Sequence, residues 1–205
     1  MSTSTMRFVQ QENARLKEEN EALKEENMAL RSYMSALQEL HVVTQQIVSE
    51  ENLFGLLDKI LYSALRVLNT EDGSLLLLDE DTNELAFVLV HGDIRNKLRG
   101  YRISGSEGIA GWVATNRKPL IVNNPHQDWR FSQQVDTTFG FRTRSIVCVP
   151  MVAGGKLVGV IELLNKAGDE VFSEADVSLL SILALVAATA LEDMRERLEA
   201  EEAGV

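Results

Sequence analysis

The chain has 205 residues, enough for one folded domain and an extension, and its 45% hydrophobic and 25% charged content is that of a folded protein rather than a disordered one. A net charge of −11 argues against a surface for nucleic acid or anionic membrane, both of which need clustered Lys and Arg. The single cysteine, Cys148, excludes an intrachain disulfide; no uncharged apolar run of about 18 residues suggests a membrane span, and no secretory core precedes the first charges, so the expected location is cytoplasmic.

Residues 1–40 carry a heptad pattern. Val9, Leu16, Leu23, Leu30 and Leu37 recur every seven residues and suit position d. Position a then holds Met6, Asn13, Asn20, Asn27 and Met34. A buried Asn at a pairs best with its own copy, which favours a parallel, in-register dimer. Glu12, Glu19 and Glu26 would face Lys17, Lys24 and Arg31 of the second helix, and the antiparallel arrangement would bring like charges together. The spacing predicts a parallel dimeric coiled coil with Asn13, Leu16, Asn20, Leu23, Asn27, Leu30 and Leu37 in the interface. The heptad slips after Met34, where Leu37 and Leu40 follow by threes, and the folded domain is expected over 41–191.

Asn52 suits an N-cap for a helix over Leu53–Leu68, whose apolar residues repeat at helical spacing. Strands are expected over Ser74–Leu78 and Leu85–Val90, joined through a turn at Asp79–Asn83. His91–Arg102 reads as irregular. Gly108–Asn116 reads as a short helix, Pro119–Val122 as a short strand, and Asn123–Thr138 as a long loop of the kind that often carries function. Thr143–Val152 and Leu157–Leu164 form a hairpin about Ala153-Gly154-Gly155-Lys156. Ser173 with Asp176 opens a last helix that runs into an acidic extension at 192–205. That helix has two apolar faces. Leu179, Ile182, Leu183, Val186 and Ala190 suit a sheet, and Leu180, Ala184, Ala187, Leu191, Met194 and Leu198 suit a second seam, so Leu180, Ala187 and Leu191 are expected at the dimer interface.

Nothing in the chain has the spacing of a catalytic or metal site. His41, His91 and His126 are far apart in sequence, and Cys148 between Val147 and Val149 reads as a packing residue. No metal, no catalytic residue and no enzymatic activity are expected. Trp112, Trp129, Phe131 and Phe139 suit either an aromatic-lined pocket or a filled core.

Four segments carry a family likeness. GFRTRSIVCVPMVAGGKLVGVIELLNK at 140–166, GSLLLLD at 73–79, GIAGWVATNRKPLIVNN at 108–124, and the NK…F…D pattern of Asn165, Lys166, Phe172 and Asp176 resemble the GAF domains of cyclic nucleotide phosphodiesterases and bacterial adenylyl cyclases. The resemblance implies an α+β, PAS-related fold: a central antiparallel sheet flanked by helices, here preceded by the coiled coil. It implies a pocket between the sheet, the short helix and the long loop, with a cyclic nucleotide as one candidate ligand and no other cofactor. Position by position it implies Ser74, Ala110, Asp136, Thr143 and Glu162 at the ligand, to which Ile109 at the helix start and Trp112 among the aromatic residues are added as candidate contacts. Three positions depart from the pattern. Val90 stands where the family has a purine-stacking aromatic, His91 where it has a base-reading carboxylate, and Phe139 where it has a lid threonine. Asn165, Lys166, Phe172 and Asp176 are expected to latch the hairpin to the last helix, with Lys166 and Asp176 as an ion pair.

Two functions stay open on the sequence. One is a homodimeric sensor that passes ligand binding through its terminal helices, to a separate effector protein if no output domain is attached. The other is a module for dimerisation or protein docking that binds no small molecule.

Overall fold

The computed structural model describes residues 6–8, 10–24, 27, 31, 34, 53–168 and 170–202. The chain divides into two compact units, Met1–Gln38 and Glu39–Val205. In the first, the described residues are helical, and Met6, Phe8, Leu16, Leu23 and Met34 are exposed on it. Val9, Glu26, Leu30, Leu37, the heptad slip at Leu40 and the Asn52 cap lie outside the described residues.

The second unit is built on a six-stranded antiparallel sheet. Its strands are β1 (Asp72–Asp79), β2 (Glu84–His91), β3 (Arg102–Ser104), β4 (Leu120–Val122), β5 (Ile146–Ala153) and β6 (Lys156–Leu164), in the order β3-β2-β1-β6-β5-β4. The β5–β6 hairpin closes through Gly154 and Gly155, both at positive φ (56° and 78°). Two left-handed residues in a row are what a two-residue primed turn requires, and only glycine adopts that without strain. At the β1–β2 turn, Asp79 accepts hydrogen bonds from the Asp81 and Thr82 N–H groups at 3.2 Å each, and Asn83 takes positive φ.

Helix α1 (Leu53–Val67) buries Leu56, Leu57, Ile60, Leu61, Ala64 and Leu65 along one stripe. It ends in a Schellman arrangement: Asn69 is left-handed, and the Thr70 N–H reaches back to the Leu65 carbonyl at 2.9 Å. Helix α1 packs on the same side of the sheet as the last helix, α5 (Glu174–Glu202). The N-terminus of α5 is a capping box. The Ser173 N–H and Oγ–H both donate to Asp176 Oδ2, at 2.7 and 2.9 Å, and the Asp176 N–H donates back to Ser173 Oγ at 3.4 Å.

The face of α5 given to the sheet takes residues from both expected stripes. Leu179 and Leu183 of the expected sheet face are buried, and so are Leu180, Ala184 and Ala187 of the second seam, with Ala188 beside them. The first part of the seam assigned to a second subunit is thus buried within its own domain, while Leu191 and Met194 are half-buried and Leu198 is exposed. Leu185 and Leu198 are the large apolar residues that α5 leaves exposed. By length and composition α5 could cross a membrane, but its apolar stripe packs on β5.

The opposite face is covered by shorter elements: α2 (Arg95–Leu98), α3 (Gly108–Asn116), a 3-10 turn (Pro125–Gln127) and α4 (Gln134–Phe139). Helix α2 and strand β3 lie in the stretch His91–Arg102 that reads as irregular, and α4 lies at the end of the expected loop. Thr143 was expected inside a strand, yet β5 begins at Ile146. The chain there is held from the side instead. Asn165 Oδ1 accepts from the Arg144 N–H at 2.7 Å, Asn165 Nδ2 donates to the Arg142 carbonyl at 3.2 Å, and the Lys166 N–H donates to Ser145 Oγ at 3.2 Å.

Gly159 sits where β6 crosses β1, and a Cβ there would collide with the Leu76 carbonyl and with Met151. Backbone cannot step aside as a flexible side chain can, so Gly159→Ala should cost about 2 kcal/mol or more. Denaturant unfolding is the check; an unchanged midpoint would contradict the close approach.

Candidate functional site

Alternation along the strands decides which side chains reach the covered face. Val90 pairs with Ser74, Ser74 with Glu162, Glu162 with Cys148, and Cys148 with Leu120. These five form one row across the sheet beneath α3. The next row, His91, Gly73, Leu163 and Val147, points at α1 and α5.

Above the first row lies a cavity of about 80 Å³. Its apolar wall includes Phe87, Ile94, Leu98, Ile103, Phe131 and Phe141. Its polar groups come from three directions: Glu162 on β6, Asp136 on α4 with Thr143 behind it, and Glu107, Gly108 and Ile109 at the start of α3.

Glu162 is more than nine-tenths buried. Oε1 accepts the Ser74 Oγ–H at 2.7 Å, the one hydrogen bond to the carboxyl among the described residues. Burial pushes the Glu162 carboxyl up from its usual range, and the Ser74 bond offsets only part of that. Cys148, beside it on β5, is fully buried; burial first, and the Glu162 charge second, push its thiol well up. A thiol kept protonated is a poor nucleophile.

The Asp136–Thr143 pair closes the lid segment. Thr143 donates from Oγ1 to Asp136 Oδ1 at 2.7 Å and from its N–H to Oδ2 at 2.9 Å. Asp136 is in the first turn of α4 and Thr143 leads into β5, so one carboxylate ties the lid to the sheet. Farther out, Arg130 makes a two-point contact with Asp128, at 2.9 and 2.6 Å, and lies 4.9 Å over the Trp112 ring. The Arg130 hydrogen bonds hold the Asp128 carboxyl below its usual range.

Of the residues expected at the ligand, Ile109, Asp136, Thr143 and Glu162 line the cavity, and Ser74 joins through Glu162. Ala110 is buried in the core cluster behind the cavity wall. Val90 and His91 both border a side nook with Ser74, Ile94, Leu98 and Phe141, apart from the main cavity. Three expectations are corrected. His91 lies on the other face, where Nε2 meets Asp58 Oδ1 of α1 at 2.9 Å, because it is one residue out of register with Val90. Trp112 is on the flank of α3 under Arg130, and Phe139 packs edge-on against Tyr101 at 5.1 Å; neither lines the cavity. Trp129 is 87% exposed, which excludes it from a filled core. The sequence reading missed Phe87, Ile103 and Phe141. Phe87 could have been found by continuing the alternation of β2, but the bulge between Leu75 and Leu76 in its pairing with β1 shifts the count. Among the described residues no group of His, Cys, Asp and Glu is placed to hold a metal ion.

The latch residues also come together. Lys166 Nζ donates to Asp176 Oδ2 at 2.7 Å, with both side chains nearly buried, and lies over the Phe172 ring. Asn123 holds the Phe172 backbone at both its N–H and its carbonyl, at 2.9 and 3.0 Å. Asn165 takes positive φ at the end of β6.

The family described as the GAF domain matches residues 50–192. A probable 3',5'-cyclic phosphodiesterase, pde-5, of Caenorhabditis elegans is 31% identical over 142 residues, 65% of this chain and 19% of its own length. The dual 3',5'-cyclic-AMP and -GMP phosphodiesterase 11 of Drosophila melanogaster is 29% identical over 68% of this chain and 10% of its own. The chain thus matches less than a fifth of the length of these curated relatives. Among solved structures, the GAF domain of a phosphoenolpyruvate-protein phosphotransferase (ptsP) from Coxiella burnetii superposes with a TM-score of 0.72 at 20% identity, covering 80% of this chain and 96% of that one. At that identity the likeness speaks for the fold.

Two stability predictions follow from the geometry. Removing one member of a buried ion pair strands the other, so Lys166→Met should cost about 3 kcal/mol in denaturant unfolding; no change would show the pair to be unimportant. For Glu162 the folded form binds its proton more tightly than the unfolded form, so its contribution is fully present below the ordinary carboxyl range and is lost as pH rises through the raised value. Glu162→Gln should therefore gain stability relative to the parent as pH rises from 4 to 8. A constant difference across that range would contradict the buried, raised carboxyl.

Proposed function

The chain belongs to the GAF domain family, and we propose that it is a cytoplasmic, homodimeric regulatory sensor in which a small ligand occupies the cavity under α3 and α4. The observation that carries this reading is Glu162, a largely buried carboxyl that lines the cavity and whose one hydrogen-bond partner among the described residues is Ser74. A core residue with no ligand to meet would be better apolar. Ligand closing the lid would tighten the Asp136–Thr143 tie and, through β6, the Asn165–Lys166–Asp176 contacts at the start of α5. Such a ligand shifts the ensemble only by its differential affinity for the two states.

A cyclic nucleotide is the first candidate, since both relatives named above are described as cyclic phosphodiesterases. Two features weigh against it. His91 faces away from the cavity and Val90 offers no ring for stacking, so the base loses an aromatic contact and a base-edge hydrogen bond. A second reading, a dimerisation module indifferent to ligand, is favoured by the exposed Leu16 and Leu23 on the N-terminal helix, which a parallel coiled coil would bury.

A thermal-shift series with cyclic AMP, cyclic GMP and small metabolites separates the two. A bound ligand at about 100 times its Kd adds roughly 2.7 kcal/mol to stability. A shift that Asp136→Ala abolishes supports the sensor; no shift with any compound favours the dimerisation module. For the helix, Leu16→Cys should cross-link efficiently under oxidation, and a pure dimer without cross-linking would rule out the parallel register.

A further inference from the structure

We propose that a cleft at the edge of the sheet, outside the cavity, binds a small phosphate-bearing molecule between Arg95 and Arg99, and that α2 passes this event to the cavity wall. The cleft is separate from the space under α3 and α4, and its ligand does not depend on what that space holds.

The edge of the sheet is open here for a local reason. Strand β3 pairs only with residues 84–86 of β2, and Gly100 and Tyr101 then bond the Phe87 backbone. Beyond Phe87 no strand runs along the outer side of β2 among the described residues. Residues 88–91 of β2, Asp58 of α1, and Arg95, Asn96 and Arg99 border a cleft of about 300 Å³. Val88 is the extra residue between the Leu75–Leu89 and Leu76–Phe87 pairs. A bulge bends an edge and interrupts its ladder, so this stretch is too short and irregular to accept a peptide strand. A small molecule suits it better.

Charge gives the ligand class. In a chain of net charge −11, the cleft carries two guanidinium groups against one carboxylate. That carboxylate, Asp58, is engaged by His91 Nε2 at 2.9 Å. Arg95 and Arg99 stand one helical turn apart, with the Arg99 N–H bonded to the Arg95 carbonyl at 3.2 Å. Both side chains are exposed, and neither makes an ion pair or a hydrogen bond among the described residues. Arg102 on the adjoining strand β3 is the contrast, paired with both Asp79 and Glu84. Like charges four residues apart on a helix repel, so an anion between them removes a repulsion as well as adding bonds. A phosphomonoester carries about two negative charges near neutral pH and presents three acceptor oxygens. Guanidinium forks match those oxygens in pairs. Asn96, exposed on the same turn, has amide N–H groups to add. Val88, Leu89 and Val90 border the space left for the organic part.

The turn that holds these cations has a second side. Ile94 and Leu98 line the cavity, while Arg95, Asn96 and Arg99 line the cleft. Helix α2 has only four residues, so it is a thin partition between the two spaces. An anion that fixes its outer side restrains Ile94 and Leu98 on its inner side, and the two sites are thereby coupled.

An NMR titration of the full chain with glycerol 3-phosphate at fixed ionic strength tests this, with glycerol as the phosphate-free control. Saturable shifts are expected in the amide signals of residues 95–99 and in the methyl signals of Ile94 and Leu98, and none with glycerol. Arg95→Gln and Arg99→Gln should each weaken binding tenfold or more. Lys97→Gln removes the same charge from the same turn but lies outside the cleft lining, so it should change affinity less than twofold. All three side chains are exposed, and the variants leave the core intact. No saturable binding, equal binding of glycerol, or equal weakening by Lys97→Gln would overturn the phosphate site. A glutamate-rich peptide that binds at residues 95–99 where glycerol 3-phosphate does not would overturn it in favour of an acidic protein partner. Binding that leaves the Ile94 and Leu98 methyl signals unmoved would overturn the coupling to the cavity.

Discussion

A carboxyl group stands on a central strand of the sheet, on the face away from the two long helices. The Ser74–Glu162 hydrogen bond, 2.7 Å long and buried, is the one hydrogen bond to that carboxyl among the described residues. Its other neighbours within the row, Val90, Cys148 and Leu120, are apolar. The polar groups of the cavity stand above the row, on the elements that roof it. Helix α3 supplies N–H donors, and α4 with Thr143 supplies a carboxylate that also ties down the lid. The raised Glu162 and the depressed Asp128, which is locked by Arg130, mark the difference between a carboxyl lacking a cation and one that has it.

The same strand connects the two faces. Glu162 points to the cavity, while Ile161 and Leu163 on either side are fully buried against the helical side. Beyond Leu164, Asn165 turns the chain at positive φ and grips Arg142 and Arg144, which follow the lid. Lys166 then pairs with Asp176, which is itself the capping residue of α5. Lid, strand end and helix start are thus linked by hydrogen bonds over a few residues. A change at the lid has a short physical route to α5, and α5 leaves Leu185 and Leu198 exposed for whatever it meets next.

Much of this arrangement was legible in the sequence, and the exceptions have physical reasons. The β5–β6 hairpin, α1, and α3 with its ends at Gly108 and Asn116 were set by local rules: a Gly-Gly turn, an apolar helical stripe, and glycine at a helix start. Helix α2 and strand β3 were not, since four and three residues carry too little periodicity to stand out. The face of α5 was only partly legible because both stripes are apolar: Leu179 and Leu183 are buried as expected, and Leu180, Ala184 and Ala187 of the other stripe are buried with them. In the site, Asp136, Thr143 and Glu162 could be placed from the family likeness. His91 could not, because a shift of one residue along a strand sends a side chain to the other face.

The most direct test of the central idea is to watch the Glu162 carboxyl itself. A carbon-13 NMR pH titration of the side-chain carboxyl, assigned by comparison with Glu162→Gln, should show it titrating above the ordinary glutamate range in the free protein. A carboxyl that titrates in the ordinary glutamate range would contradict the account.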